Sequence, residues 1–206
     1  MTPRSLADRL LSPAGFGLAL LLLLLPVVTV SCGSSAEEVP YKIDYTFTGL
    51  DLVTGGGPEL SGVVPDDNGA PMTVSGASDD GLFAEQVGRP IQPLAVAAAL
   101  ALVAGLVAGL VLPVALRGRV TGALALAALT LLVVEVLAIV PARAAEELAE
   151  AFPDDPTLAT HTRPAIGFYL VLVVLLALLV REVIAARRPL MTTAPADSTG
   201  PPAQAT

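Results

Sequence analysis

Long runs of apolar residues alternate with short polar segments along the chain. Four runs approach the roughly 17 to 25 residues that a helix needs to cross a bilayer. They cover residues 14–30, 94–116, 120–140 and 165–180. The fourth run is slightly short, but the Arg181 side chain can snorkel to the interface and let the helix continue to residue 186. The pattern therefore predicts four membrane-crossing helices.

The polar segments between these runs complete the predicted organisation. We expect a cytoplasmic N-terminus (1–13), transmembrane helix 1 or a signal anchor (14–32), an acidic extracytoplasmic module (33–93), transmembrane helix 2 (94–116), transmembrane helix 3 (120–140), an extracytoplasmic link with an interfacial helix that starts near Pro141 (141–164), transmembrane helix 4 (165–186) and a disordered cytoplasmic tail (187–206). The predicted fold class is an all-α transmembrane helical bundle of four spans with a small β-containing extracytoplasmic insertion.

One strand stands out within the extracytoplasmic module. Apolar and polar residues alternate strictly from Tyr41 to Thr48, which predicts a half-buried strand. Turn-forming Gly, Pro, Asp and Asn residues follow. Short apolar pieces at 50–53, 63–64 and 72–74 can pair beside the strand. We expect a small antiparallel sheet, and the alternative is partial disorder of the module.

Composition agrees with a membrane protein. Of the 206 residues, 54% are hydrophobic and only 15% are charged, well below the roughly 25% charged residues of soluble domains. The mean hydropathy is +0.74. These values exclude an ordinary soluble domain and a long disordered chain.

The arginines predict the orientation of the helices. Seven of them fall on one side of the predicted bilayer: Arg4, Arg9, Arg117, Arg119, Arg181, Arg187 and Arg188. The other side carries 15 carboxylates and only four cations. Because basic residues near span ends resist translocation, both termini are expected in the cytoplasm of a bacterial cell, with the protein multi-pass in its inner membrane. Binding to nucleic acid needs a basic surface, so it is not expected.

The only cysteine, Cys32, follows the first apolar run in the segment P-V-V-T-V-S-C-G. This segment resembles a bacterial lipoprotein signal, which implies cleavage and lipidation of Cys32. An uncleaved helix with an ordinary interface cysteine is the preferred alternative. Together with T-G-L-D-L-V-T-G, the segment also resembles uncharacterised bacterial integral membrane proteins over roughly the first 55 residues. That resemblance implies no activity.

Small residues recur at every fourth position of the second run, at Ala97, Ala101, Gly105 and Gly109. Such a stripe lets helix backbones approach closely in lipid. The linker Arg117-Gly118-Arg119 is so short that the second and third helices must be antiparallel neighbours. The stripe is expected to pack within the chain, and the alternative is a groove for a second copy or another partner.

Glu135 lies inside the third run, where an ionisable residue is costly and indicates function by default. One interpretation is a carboxylate that snorkels to the outer interface or pairs there with Arg143, Arg163 or His161. The other is a relay for protons or cations, which would need further polar residues at depth.

No catalytic constellation is present, because His161 is the single histidine of the chain. We therefore expect no enzyme activity, no metal and no cofactor. The preferred hypothesis is a structural, accessory or sensing protein, embedded in the lipid bilayer, that presents its acidic module to a protein partner in the cell envelope. The alternative is a small transporter or channel subunit that uses Glu135.

Overall fold

The structure, a computed structural model, describes residues 3–34, 41–65, 70–77, 92–151 and 159–187. In chain order its elements are α1 (Pro3–Leu22), β1 (Pro26–Ser34), β2 (Tyr41–Thr48), α2 (Gly49–Thr54), β3 (Glu59–Pro65), β4 (Pro71–Ala77), α3 (Pro93–Val111), α4 (Val114–Val134), a π-helical segment (Glu135–Ile139), α5 (Val140–Ala151), β5 (Ala159–Pro164) and α6 (Ile166–Arg187). The described part of the chain is mainly helical, with a small antiparallel sheet. The predicted disordered tail lies outside the described residues, apart from Arg187, which ends α6.

Within the described residues, three helices are long and apolar enough to cross a membrane. They are Pro93–Val111, Leu116–Glu146 and Ile166–Ala185. The apolar part of α1, Leu11–Leu22, is shorter and extends about 18 Å at 1.5 Å per residue. The structure is therefore compatible with a multi-pass membrane protein, while four spans are not shown.

The four long helices form a ring around a common apolar core. α1 and α4 each pack against both α3 and α6. The core continues from Phe16 and Leu175 within the bundle to Val28 and Tyr45 in the sheet. Bundle and sheet therefore share one hydrophobic interior.

The first helix differs from its prediction at both ends. It was predicted over 14–32, but α1 begins at Pro3 and ends at Leu22, and β1 follows from Pro26. Pro26 has no N–H to donate to the preceding turn, which ends a helix there. The β-branched residues Val27 to Val30 then favour the extended conformation.

The loop between the second and third helices was also predicted in the wrong place. The break lies at Leu112 and Pro113, whereas Arg117-Gly118-Arg119 lies inside α4. Leu112 is extended, as expected of a residue that precedes proline. The Arg117 guanidinium reaches back and donates to the Leu112 carbonyl at 3.1 Å.

The five strands form a single antiparallel sheet in the order β4-β3-β2-β1-β5. β1 pairs with β2 on one side and with β5 on the other. The two links that were predicted as separate regions, 33–93 and 141–164, therefore contribute to the same sheet. The Ala165 N–H donates to the Val27 carbonyl at 2.9 Å, which joins the start of α6 to β1.

The two faces of the sheet differ in polarity. Val28, Val30, Ile43 and Tyr45 are buried against the bundle. The opposite face, here called the polar face, carries Thr29, Ser31, Lys42, Asp44, Thr46, Glu59, Ser61, Ser75, His161 and Arg163, as the strand register requires. The predicted alternation along 41–48 is confirmed.

The other short apolar pieces differ in outcome. Residues 63–64 lie in β3 and residues 72–74 in β4. Residues 50–53 are helical instead, because Thr48 and Asp51 form a capping box that starts α2, and Gly55, at φ 72°, ends it. The segment T-G-L-D at positions 48–51 contains this capping box, which predicts a helix start.

The predicted separate interfacial helix is not observed. α5 continues α4 through the π-helical segment, so Leu116–Glu146 forms one long apolar helix. Pro141 lies one residue inside α5 rather than at the start of an independent helix. Residues 152–158 of the predicted link lie outside the described residues.

Gly105→Ala is expected to lower the free energy of unfolding in detergent by about 1 to 3 kcal/mol, because the added methyl group overpacks the α1–α3 contact. Its Cβ would clash with the buried ring of Phe16 on α1. Gly17→Ala is the matched control, since no atom lies within 4 Å of its added Cβ. Equal destabilisation by both substitutions would contradict the described contact.

A disulfide can test whether β1 and β5 pair. Ser31 and His161 are register partners, so Ser31→Cys with His161→Cys, in a Cys32→Ser background, should oxidise to an intramolecular disulfide. Ser61→Cys with His161→Cys is the control, because three strand spacings of about 4.8 Å separate these positions, too far for a disulfide. Mass spectrometry of peptides distinguishes the two results, and bonding in the control pair alone would refute the strand order.

Candidate functional site

The helix backbone changes its hydrogen-bond pattern at Glu135. The Val140 N–H donates to the carbonyl of Glu135, five residues back, instead of to that of Val136. Pro141 explains this change, because it has no N–H and its ring clashes with the carbonyl four residues earlier. The π-helical segment is the local adjustment that lets the helix continue through Pro141.

The Glu135 side chain lies inside the bundle. Its relative exposure is 0%. It continues the buried side of α4, which consists of Thr121, Ala125, Ala128, Leu132, Val136 and, beyond the π-helical segment, Val140. The interpretation that this carboxylate snorkels to an exposed edge therefore does not agree with the structure.

Glu135 lies where the bundle meets the sheet. α4 and α6 run antiparallel, with Gly122 beside Glu182. Further along, Leu132 and Val171 line the same narrow apolar cavity. Continuing this pairing by three residues places Glu135 at the level of Phe168, in the first turn of α6.

Gln92 lies in the same layer on a neighbouring helix. It directly precedes α3 and is only 8% exposed. It stands three residues beyond Ala95, which lines the same cavity as Leu132. The Gln92 N–H donates to the Leu52 carbonyl at 3.1 Å, which ties the start of α3 to α2. We call Glu135 and Gln92 the junction layer.

The junction layer contains buried oxygens without hydrogen-bond donors. Within the described residues, neither carboxylate oxygen of Glu135 nor Oε1 of Gln92 has a hydrogen-bond partner. Arg143 acts on Glu135 through its charge, but no ion pair joins them in the part of the chain that is described. Arg163 and His161 are exposed on the polar face of the sheet. The predicted pairing at the outer edge is therefore not observed.

The bundle interior below the junction layer is apolar. Thr121 is the next buried polar residue along α4, about 21 Å away at 1.5 Å per residue. Its hydroxyl donates to the Arg117 carbonyl. Between them, the described interior consists of Leu23, Ala98, Leu102, Ala125, Ala128, Leu132, Val171 and Leu175. The described side chains provide no polar path through the bundle.

The predicted helix-packing residues face two different environments. Gly105 and Gly109 are buried, and each contacts α1, at Phe16 and at Pro13 respectively. Ala97 and Ala101 are half-buried. For the two glycines, the close contact lies within this chain and involves the first helix rather than α4.

Cys32 lies within β1, paired with Ile43 on one side and Thr160 on the other. It is half-buried on the face that packs against the bundle. Burial raises the pKa of its thiol, and the negative charge of Asp44 raises it further. Burial likewise raises the pKa of Tyr45 on the same face.

Asp44 is the central charge of the polar face. Its carboxylate pairs with Lys42 at 2.9 Å. Burial acts to raise its pKa, but the Ser31 hydroxyl and Lys42, together with the charge of Arg163, outweigh that effect and hold the pKa below its usual value. Within the described residues, no group of three or more His, Cys, Asp or Glu side chains could hold a metal ion.

No protein-family model matches the chain, and no curated protein sequence matches it significantly.

Sequence reasoning selected Glu135 but missed Gln92. Gln92, directly before Pro93, was assigned to the polar module, although Pro at the first position of a helix is a start signal that makes Gln92 the N-cap residue of α3. Pro141, five residues after Val136, was the available signal for the irregular turn.

Cys32 is expected to react with a maleimide at neutral pH about tenfold more slowly than a cysteine at Ser61, because its thiol is half-buried and its raised pKa leaves less thiolate. Ser61→Cys in a Cys32→Ser background provides the comparison, since Ser61 is exposed. The intact mass of the purified protein is measured in parallel. Loss of the first 31 residues with an added lipid would show that Cys32 is processed as a lipoprotein cysteine.

Proposed function

We propose that this chain is an accessory or sensing protein of a bacterial inner membrane that presents its sheet to a protein partner in the cell envelope. The observation that supports this proposal is the sheet itself. It collects strands from both links between the helices, buries one face on the bundle and leaves the polar face accessible. A rigidly mounted polar surface is suited to binding a partner.

The proposed arrangement has four helices in the membrane and both termini in the cytoplasm. α1 exposes apolar side chains on its outer side, namely Leu11, Leu18 and Leu21, as a lipid-facing helix does. Arg117 and Arg119 near the start of α4 and Arg187 at the end of α6 lie at the end of the bundle away from the sheet. The positive-inside rule then places the sheet outside the cytoplasm.

The excess of acidic residues between the first two long apolar runs supports a partner with a basic contact surface. Residues 33–91 contain ten acidic and two basic residues. Complementary charge accelerates association and disfavours wrong partners. On the polar face itself, Asp44 and Glu59 are balanced by Lys42 and Arg163, so the excess of acidic residues lies elsewhere in residues 33–91.

A transporter or channel subunit that uses Glu135 is the second candidate, favoured by the complete burial of that carboxylate. The apolar interior between Glu135 and Thr121 weighs against it, because an ion crossing that distance needs polar groups or water along its way. Ion flux through liposomes that contain only the purified chain would favour this second function.

The orientation and the partner can be tested with one variant, Ser61→Cys in a Cys32→Ser background. A membrane-impermeant maleimide should label it in intact cells, since Ser61 is exposed on the polar face. Val107→Cys is the control, because Val107 is also exposed but lies on the predicted lipid-facing side of α3, where the impermeant reagent should not reach it. Labelling of Ser61→Cys only after cell lysis would invert the proposed orientation.

A photoreactive benzophenone attached to the same cysteine then crosslinks to any protein bound at the polar face when it is irradiated. In native membranes, Ser61→Cys should give a protein adduct of defined mass that Val107→Cys does not give. The presentation hypothesis fails if the labelled polar face yields no protein adduct.

A further inference from the structure

The outer strand β4 leaves one edge of the sheet open. It pairs with β3 on one side, and no described residue pairs with it on the other. The opposite edge is protected, because β5 lies against α5, carries Arg163 and ends at Pro164. β4 has a proline only at its first residue and no charged residue along its length. It is therefore the edge to which another strand can be added.

Two facing prolines show which backbone groups of β4 point outward. Pro65 and Pro71 are register partners. Neither has an N–H, so they form a non-hydrogen-bonded pair, whose backbone groups point away from each other. Such pairs alternate with hydrogen-bonded ones along an antiparallel ladder. The N–H and C=O groups of Thr73 and Ser75, two and four residues after Pro71, therefore point away from β3 toward the open edge.

The side chains at this edge continue the two faces of the sheet. Ser75 is exposed on the polar face, and Thr73, two residues before it, is exposed on the same side. Met72 lies on the opposite side and is 49% exposed. Directly opposed side chains of neighbouring strands contact each other. An added strand would therefore fit best with apolar residues beside Met72 that alternate with polar residues beside Thr73 and Ser75.

The sequence on both sides of β4 is acidic. Asp66 and Asp67 precede the strand, and Asp79 and Asp80 follow it. Because the chain joins these carboxylates to the two ends of β4, they attract an added strand that has basic residues at its ends. A second copy of β4 would bring the same negative charges to both ends. Like charges therefore disfavour pairing between two copies of this chain.

We infer that the open edge of β4 binds an extended segment of a partner protein, with alternating apolar and polar residues and basic residues at both ends. This inference rests on the proposed presentation of the sheet and names the mode of binding and the chemistry of the partner. Main-chain hydrogen bonds supply affinity in strand addition, and the alternating side chains supply specificity. An open edge cannot lie in lipid, so the partner meets it in the aqueous space.

Thr73→Pro blocks the edge without removing a bond of the sheet. Proline lacks the outward N–H and places its ring there, whereas the pairing with β3 does not use this group. Thr73→Val is the matched control, because it keeps the N–H and the β-branched shape. Circular dichroism and Tm of the full-length proteins in detergent should agree between the two variants and the unmodified chain.

The probe is a fluorescent peptide in which two lysines precede and two lysines follow a stretch of alternating valine and threonine. Its binding to the full-length protein in phosphatidylcholine nanodiscs is measured by fluorescence anisotropy. The unmodified chain and Thr73→Val should bind it saturably. Thr73→Pro should bind about tenfold more weakly, as expected for the loss of one hydrogen bond. A peptide with glutamates in place of the lysines should also bind about tenfold more weakly.

A charge variant tests the same edge without changing β4. Asp79→Asn with Asp80→Asn should weaken binding of the lysine peptide about threefold to tenfold, because two exposed attractions are lost. Glu37→Gln with Glu38→Gln is the control, since it removes the same charge elsewhere in residues 33–91. This comparison decides the inference even if Thr73→Pro lowers Tm.

The inference is overturned if the lysine peptide does not bind, if it binds equally to Thr73→Pro and Thr73→Val, or if the glutamate peptide binds as well. Dimerisation of the chain that Thr73→Pro abolishes would assign the edge to a second copy. In native membranes, the benzophenone adduct at Ser61→Cys should disappear in Thr73→Pro and persist in Thr73→Val. An adduct that persists in both would leave the proposed function standing without this inference. An adduct absent from the unmodified edge would contradict the proposed function, while peptide binding still decides the edge.

Discussion

Backbone hydrogen bonds are the constraint on which this structure depends. A bilayer offers no water to an unpaired N–H or C=O, so only helices satisfy the chain within it, and open sheet edges cannot lie in lipid. The described elements obey this separation. The long apolar helices occupy one region, and all five strands gather at one end of the bundle. The π-helical segment lies at the boundary between the two regions.

The same constraint explains why two distant links form one sheet. α1 and α4 end at the same end of the bundle where α3 and α6 begin, so both links start at one end of the bundle. β1 then lies between β2 of the first link and β5 of the second. The shared core from Phe16 to Tyr45 shows that the sheet is packed onto the helices and not merely tethered to them.

Sequence patterns predicted the features that repeat and missed those set by single residues. The alternation along β2 and the three long apolar helices were correct because each rests on many positions. β1 was hidden because its Val-rich residues continue the apolar run of α1, so only Pro26 marked the change. The loop at Leu112 and Pro113 is apolar, and the conspicuous arginines after it were mistaken for the turn.

The candidate site was predictable only in part. Glu135 could be selected because a charged residue within an apolar run is conspicuous. The direction of its side chain could not be predicted, because it depends on the helix turn that Pro141 distorts. Gln92 could not be associated with it, because the two residues are 43 positions apart in the sequence and reach the same level only through the α3–α4 hairpin. The two residues lie at the same height in the bundle because α3 and α4 pack antiparallel. The hydrophobic pattern of a single helix does not predict which residues of a neighbouring helix lie at its height.

The attachment of β1 has a mechanical consequence. β1 is joined covalently to α1 and hydrogen-bonded to the first residue before α6, and Gly167 lies so close to the Pro26 carbonyl that a methyl group would not fit between them. A force applied to the sheet is therefore transmitted to two adjacent helices, α1 and α6, together. Tilting of the sheet would therefore turn both helices, and Glu135 of the π-helical segment lies at the same end of the bundle.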